Sequence, residues 1–338
     1  MAEQQSALQN SPSLTRPVAL QLIGDWGHAN LHRVCGWLSA EVVARCGPGS
    51  RAATWTGDGW LTNVRALVDR QVDVAVVTPA SLAAMARAGE GPFAGRPLPE
   101  LRALGVVPQF DRLVLGVRSD LGITSFADLR DRRPPLRIST AELDGGDNLV
   151  GYAARLLMEA SGVPEATLQA WGGRYVAFSH LPPWAPEHTW PGAYVERVRA
   201  GEADAVIFEA IMLPTWQEVA VDPGLTFLGL EEDALRRAEA EAGWPRADVP
   251  ASYFPNQDRP LTTLDFADFL VVCREDLPAD LAHLLAYCLG ETRDVLERQY
   301  RHLPPERSPV TYPLDPVRMG QAPIPLHEGA ERYYAALR

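Results

Sequence analysis

A chain of 338 residues with 46% hydrophobic and 22% charged side chains exceeds one ordinary core and reads as a globular protein of two lobes. Its formal charge of -12 and pI near 5.1 exclude a nucleic-acid backbone as partner, because that partner calls for a basic surface. The longest apolar runs, such as residues 266–273, fall far short of the about 20 residues that cross a bilayer, so no membrane span is expected.

Residues 1–27 lack a basic start followed by an apolar core and a small-residue cleavage site, so the chain as written is expected to be cytoplasmic. From Arg16 to Gly49 a short apolar run breaks at Gly24. Leu31, Val34, Cys35, Leu38 and Val42 then recur at helical spacing until Gly47-Pro48-Gly49. The plan repeats at once: Thr54 to Thr56 end a strand, "TGDG" makes a loop, Leu61, Val64, Leu67 and Val68 form a helix stripe, and "VDVAVV" is a buried strand. Strands alternating with helices over short loops predict an α/β fold with parallel sheets.

At 101–120 two β-like runs are separated by a polar turn, a pair suited to carry the chain between lobes. The α/β plan then resumes, with Ser125 as a helix cap, "LRIST" as a strand, a glycine loop, and a helix with Leu149, Ala153, Leu156 and Leu157 on one side. Residues 171–192, rich in Trp, Pro and His, read as a long connection. Helix, turn and strand follow to residue 210, then a charged surface helix at 231–244. A strand and capped helix at 261–291 return the chain to the first lobe, and a short amphipathic helix ends it. This places 1–117 with 262–338 in lobe one and 118–261 in lobe two.

Two stretches have one shape. "VDVAVVTPAS" (72–81) and "ADAVIFEAIM" (203–212) match Asp73 with Asp204 and Thr78 with Glu209, as two facing half-units would. In parallel α/β sheets, ligands bind outside the carboxyl ends of strands, where glycines admit a ligand and helix N-termini offer free N–H groups. Five loops qualify. The first supplies Asp25, Trp26, His28 and Asn30; the second Thr56, Gly57, Asp58 and Trp60; the third Thr78 and Ser81. The fourth supplies Ser139, Thr140, Asp144, Gly145 and Asn148, and the fifth Glu209. The glycines also serve plain turns, and Asn63 and Asp147 also suit helix caps.

Catalytic patterns are weaker. "GDWG" is neither a phosphate loop nor a GxGxxG fingerprint, so no nucleotide or other cofactor is expected, and no serine sits in a GxSxG elbow. Cys35, Cys46, Cys273 and Cys288 show no CxxC spacing. Cys35 and Cys46 fall on one predicted helix, ~16 Å apart at about 1.5 Å rise per residue, too far for a disulfide. His180, Glu187 and His188 share the 171–192 connection without HExxH spacing, so no metal site is assigned. Asp25, Asp58, Asp144 and Glu209 point to a cationic group on the ligand, whereas His28, Arg33 and Arg174 suit an acid; ligand charge stays open.

The run from Val72 to Val163 resembles the solute-binding proteins of the TRAP-associated extracytoplasmic immunogenic (TAXI) type. It does so through Arg118 to Asp120, "GITSFADL" at 122–129 and the glycine loop at 139–148. "GEADAVIFEA" (201–210) and "PLHEGAERYY" (325–334) extend the likeness over most of residues 18–336. The resemblance implies a two-lobe, periplasmic-binding-protein-like (type II) fold with a hinge. It would close on a small organic acid or amino acid for TRAP membrane subunits. Nothing in the sequence indicates oligomerisation, so a monomer is the default expectation. Three departures stand out: the family is exported, it has small residues where this chain has Trp26 and His28, and "HLPPWAPEHTW" looks inserted. The alternatives are a ligand sensor or an enzyme on the same fold, a decarboxylase or dehydratase of a small or aromatic acid. In the enzyme His28, His180 or His188 would be the acid–base group.

Overall fold

A computed structural model describes residues 11–25, 30–143, 149–181 and 185–338, without the side chains of 188 and 189. Its strands are β1 (Ala19–Asp25), β2 (Arg51–Gly57), β3 (Val74–Val77), β4 (Leu101–Val107), β5 (Arg112–Arg118), β6 (Arg137–Ser139), β7 (Arg174–Val176), β8 (Ala205–Phe208), β9 (Leu225–Leu228), β10 (Arg246–Val249), β11 (Leu261–Asp265) and β12 (Phe269–Arg274). They form two sheets, which make the two-lobe α/β fold expected from the alternation of elements. The first runs β2-β1-β3-β12-β4; the second runs β10-β11-β5-β8-β6-β7, with β9 also on β5.

The sequence pattern explains the layers. In β1 and β3 successive residues point to opposite faces. Leu22, Val74 and Val76 pack with Leu38, Leu285 and Tyr334 beneath the helices Asn30–Val43, Ala279–Glu291 and Glu328–Ala335. Ile23, Ala75 and Val77 face the other way, toward Trp60, Leu67 and Phe93. β3 and β8 are buried along their whole length, as strands covered on both faces must be.

The likeness between 72–81 and 203–212 is structural. Asp73 accepts from the Gln21 amide at 2.8 Å and returns its own amide to the Gln21 carbonyl, pinning β3 to β1. Asp204 repeats this on lobe two, accepting from the Arg137 amide at 2.9 Å and donating to the Arg137 carbonyl, which pins β8 to β6. Arg137 adds two guanidinium bonds to the same carboxylate, which hold it below the usual carboxylate range.

Two short segments join the sheets. β4 lies in the first and β5 in the second, so 108–111 crosses between them; β11 and β12 divide likewise around 266–268. The crossings lie side by side: the Phe266 amide donates to the Asp111 carbonyl and the Asp268 amide to the Gln109 carbonyl, both at 3.3 Å. Residues 261–273, read as one strand, are thus two, broken where Asp268 takes a left-handed φ of 65°.

The 171–192 connection contains β7, which pairs in parallel with β6, and a short helix at Pro186–Thr189. Three residues are too few for a periodic signal. Ser125 caps its helix as expected, accepting from the Asp128 amide at 3.1 Å. All four cysteines are free thiols, and burial pushes Cys288 up to about 12, far from a reactive thiolate. Among the described residues no helix is long and apolar enough to cross a membrane.

Candidate functional site

Each sheet ends a central strand at a crossing. After β3 the Ala80 amide donates to the carbonyls of Ala267 and Asp268, each at 3.1 Å, so the Thr78–Ser81 loop docks on the second crossing. After β8 the amides of Ala210 and Ile211 donate to Asp111 Oδ2 and Oδ1 at 3.0 and 3.2 Å, so the Glu209–Met212 loop docks on the first. Because the crossings are bonded to each other, the two loops matched in sequence meet at one junction.

Four hydroxyls near these strand ends lack a hydrogen-bond partner, as do those of Tyr175, Thr311 and Tyr334 elsewhere. Thr78 Oγ1, Ser81 Oγ, Ser139 Oγ and Thr140 Oγ1 are buried side-chain atoms without a hydrogen-bond partner, and Ser139 and Thr140 are wholly inaccessible. Ser81 precedes the helix Leu82–Ala88 yet does not cap it. A buried hydroxyl without a partner costs about 1–3 kcal/mol, so four at the carboxyl ends of β3 and β6 call for an explanation.

On the first sheet, Asp25 ends β1, is 3% exposed, and accepts from Asn63 Nδ2. Asn63 lies inside the helix Trp60–Val68, whose N-cap is Gly59, so its part is to tie that helix to β1 and not to cap it. Gly57 makes room for this pair, since a Cβ there would overlap Asn63 Oδ1. Gly57→Ala should therefore push Asn63 off Asp25 and cost about 1–3 kcal/mol by urea denaturation; a loss below about 0.5 kcal/mol would mean that Asn63 is not confined.

The remaining sequence candidates fall as follows. Trp60 is a core residue, its ring 5.0 Å from Phe93 and its Nε1 donating to the Pro79 carbonyl at 3.4 Å. Asn30 is engaged by Tyr300, whose hydroxyl donates to Asn30 Oδ1 at 2.8 Å. Thr56 and Asp58 are exposed at the end of β2, and His180 is exposed beyond β7. Trp26, His28, Asp144, Gly145 and Asn148 lie outside the described residues, as does the side chain of His188. Arg174 pairs in register with Arg137 at the start of β7, the end of the sheet away from the hydroxyls. Arg33 stacks over Tyr300 at 5.8 Å. Among the described residues no three His, Cys, Asp or Glu side chains are placed to hold a metal.

Glu209 differs from its expected part as a negative charge. Its carboxyl is buried against Asp111, and desolvation together with the Asp111 charge raises it well above the usual carboxylate range. Asp111 and Gln109 stand at the same crossing but were legible in the sequence only as part of a polar turn. Gln109 Nε2 donates to Asp111 Oδ2 at 3.4 Å, and the Gln109 amide donates to Asp268 Oδ1 at 3.0 Å. Burial pushes Asp265 up to about 6 against the pull of Arg112 at 3.0 Å, and it raises Asp268, which Arg318 meets at 2.9 Å. Asp265 and Asp268 are thus each met by an arginine.

Residues 191–335 match the model of the NMT1-like family. Among solved structures the chain is similar to a periplasmic transporter, at 10% identity over 96% of this chain and 95% of that one with a TM-score of 0.47. It is similar to PhnD1 from Prochlorococcus marinus in complex with methylphosphonate, at 13% identity over 81% and 84% with a TM-score of 0.45. It is also similar to the periplasmic aliphatic sulphonate binding protein SsuA from Escherichia coli, at 14% identity over 83% and 76% with a TM-score of 0.41.

Proposed function

We propose that this chain is a solute-binding protein that holds a small polar molecule, an organic acid or an amino acid, where its two lobes meet. The observation that carries this reading is the set of buried, unpartnered hydroxyls of Thr78, Ser81, Ser139 and Thr140 at the carboxyl ends of β3 and β6. Such groups persist when a ligand supplies the missing bonds. Lobe one comprises residues up to 107 and from 269 onward, and lobe two residues 112–265, with 108–111 and 266–268 as the hinge. These boundaries follow the sheets and depart from the 117/118 and 261/262 divisions that periodicity suggests. Paired short crossings suit a closing motion about the ligand. Asp25, Asn63, Thr78 and Ser81 act from lobe one, and Ser139, Thr140 and the Glu209 loop from lobe two. Delivery to TRAP membrane subunits is the finer reading, taken from the TAXI-like residues 72–163.

The test is a thermal-shift screen of the full chain against amino acids, dicarboxylates and aromatic acids, with mass spectrometry of each hit after incubation. A solute that raises Tm by mass action and is recovered unchanged supports the reading. A solute returned chemically altered, or no stabilisation by any member, refutes it.

A further inference from the structure

The hinge contains a buried carboxyl pair that binding alone does not require. Asp111, 1% exposed in the first crossing, receives three backbone amides: Arg112 at 2.7 Å, Ala210 at 3.0 Å and Ile211 at 3.2 Å. Burial raises it above the usual carboxylate range, and against that the three amide donors and the Glu209 carboxyl favour its anion. Glu209, 9% exposed, is hydrogen-bonded to that anion, and two carboxyl groups make such a bond only with a proton between them. The loop it begins is under backbone constraint, since Ala210 has φ 57°, a left-handed conformation that alanine rarely adopts.

We infer that Asp111 and Glu209 hold one proton between them and that this proton latches the lobe-two ligand loop to the interlobe crossing. The inference rests on the solute-binding reading and assigns that site its regulation: loss of the proton places two anions in contact and drives the loop from the hinge. Neighbouring charges do not neutralise the pair. Arg112 is turned to Asp265, Arg318 to Asp268, and Arg307 lies over the Tyr253 ring at 3.9 Å. The indole of Trp216 donates to the Glu209 carbonyl at 3.2 Å and leaves the carboxyl to Asp111.

The sign follows from linkage. The folded state binds the Glu209 proton more tightly than the unfolded chain, where it dissociates near pH ~4.3. The latch therefore contributes fully below that pH and is lost as pH rises toward the elevated folded value. Asp265, pushed up to about 6, adds a loss in the same direction.

The experiment uses ligand-free full chain. Amide hydrogen exchange over residues 209–213, corrected for intrinsic rates, is followed from about pH 5 to pH 9, with the infrared carbonyl band of protonated carboxyl groups recorded in parallel. In wild type, protection of the loop should fall by up to about tenfold per pH unit once the proton leaves. In Glu209→Gln, whose amide donates to Asp111 at every pH, protection should stay flat and the protonated-carboxyl band near neutrality should disappear. Protection equally flat in wild type, or falling equally in Glu209→Gln, overturns the inference. Wild-type protein with no protonated-carboxyl band near neutrality overturns it without any variant. Because no solute is involved, a failed ligand screen and a failed latch are separate results.

Discussion

Asp111→Ala is expected to lower the free energy of unfolding by about 3–5 kcal/mol in urea denaturation, the range for removing one member of a buried charged pair. The carboxylate serves the amides of Arg112, Ala210 and Ile211 together with the acid of Glu209, and its bonds to Ala210 and Ile211 are buried. Alanine leaves buried donors unmade, each costing about 1–3 kcal/mol and not additive. It also frees Ala210 to relax from its left-handed φ, so the loss should appear with faster amide exchange in 209–213. Asp120→Ala is the contrast: Asp120 pairs with Arg118 in full contact with water, and little change is expected. A loss for Asp111→Ala below about 1 kcal/mol would show that water satisfies these amides and that the crossing is not held as described.

The hydroxyl variants should divide stability from binding. Thr140→Val keeps the shape of a fully buried side chain and removes a hydroxyl that has no protein partner; Ser139→Ala does the same with a small loss of volume. Neither removes a hydrogen bond within the protein. The unfolding free energy of the ligand-free chain should hold or rise by about 1–2 kcal/mol, since an uncompensated polar group has left the interior. Affinity for the solute should fall about tenfold or more per hydroxyl, the equivalent of one net hydrogen bond of roughly 1.5 kcal/mol. Calorimetric titration beside denaturation reads both. Destabilisation of ligand-free protein with affinity intact would make these hydroxyls structural and remove the support for the site.

Much of this protein follows from its sequence alone. The periodic runs of Leu31 to Val42 and Leu61 to Val68 require helices over strands, because apolar residues at those spacings bury one face. The match of 72–81 with 203–212 reaches the tertiary level: Asp73 and Asp204 each pin a central strand to its parallel neighbour, and Thr78 and Glu209 each begin a loop docked on a crossing. The rule that ligands meet strand carboxyl ends led to Thr78, Ser81, Ser139 and Thr140, whose hydroxyls the fold buries without a partner. It also took in Trp60, which the core claimed, since an indole at a helix start looks the same in sequence whether it faces a ligand or Phe93.

Only the tertiary structure decided the hinge and its chemistry. Crossings of three and four residues carry no periodicity, so 108–111 and 266–268 read as a turn and as the middle of a strand; β7 was too short for the same reason. Asp111 and Glu209 are 98 positions apart, and their carboxyl groups are both raised because the fold removes them from water and lays them together. Desolvation depends on which distant segments surround a carboxyl group, and that information is absent from any local stretch of chain.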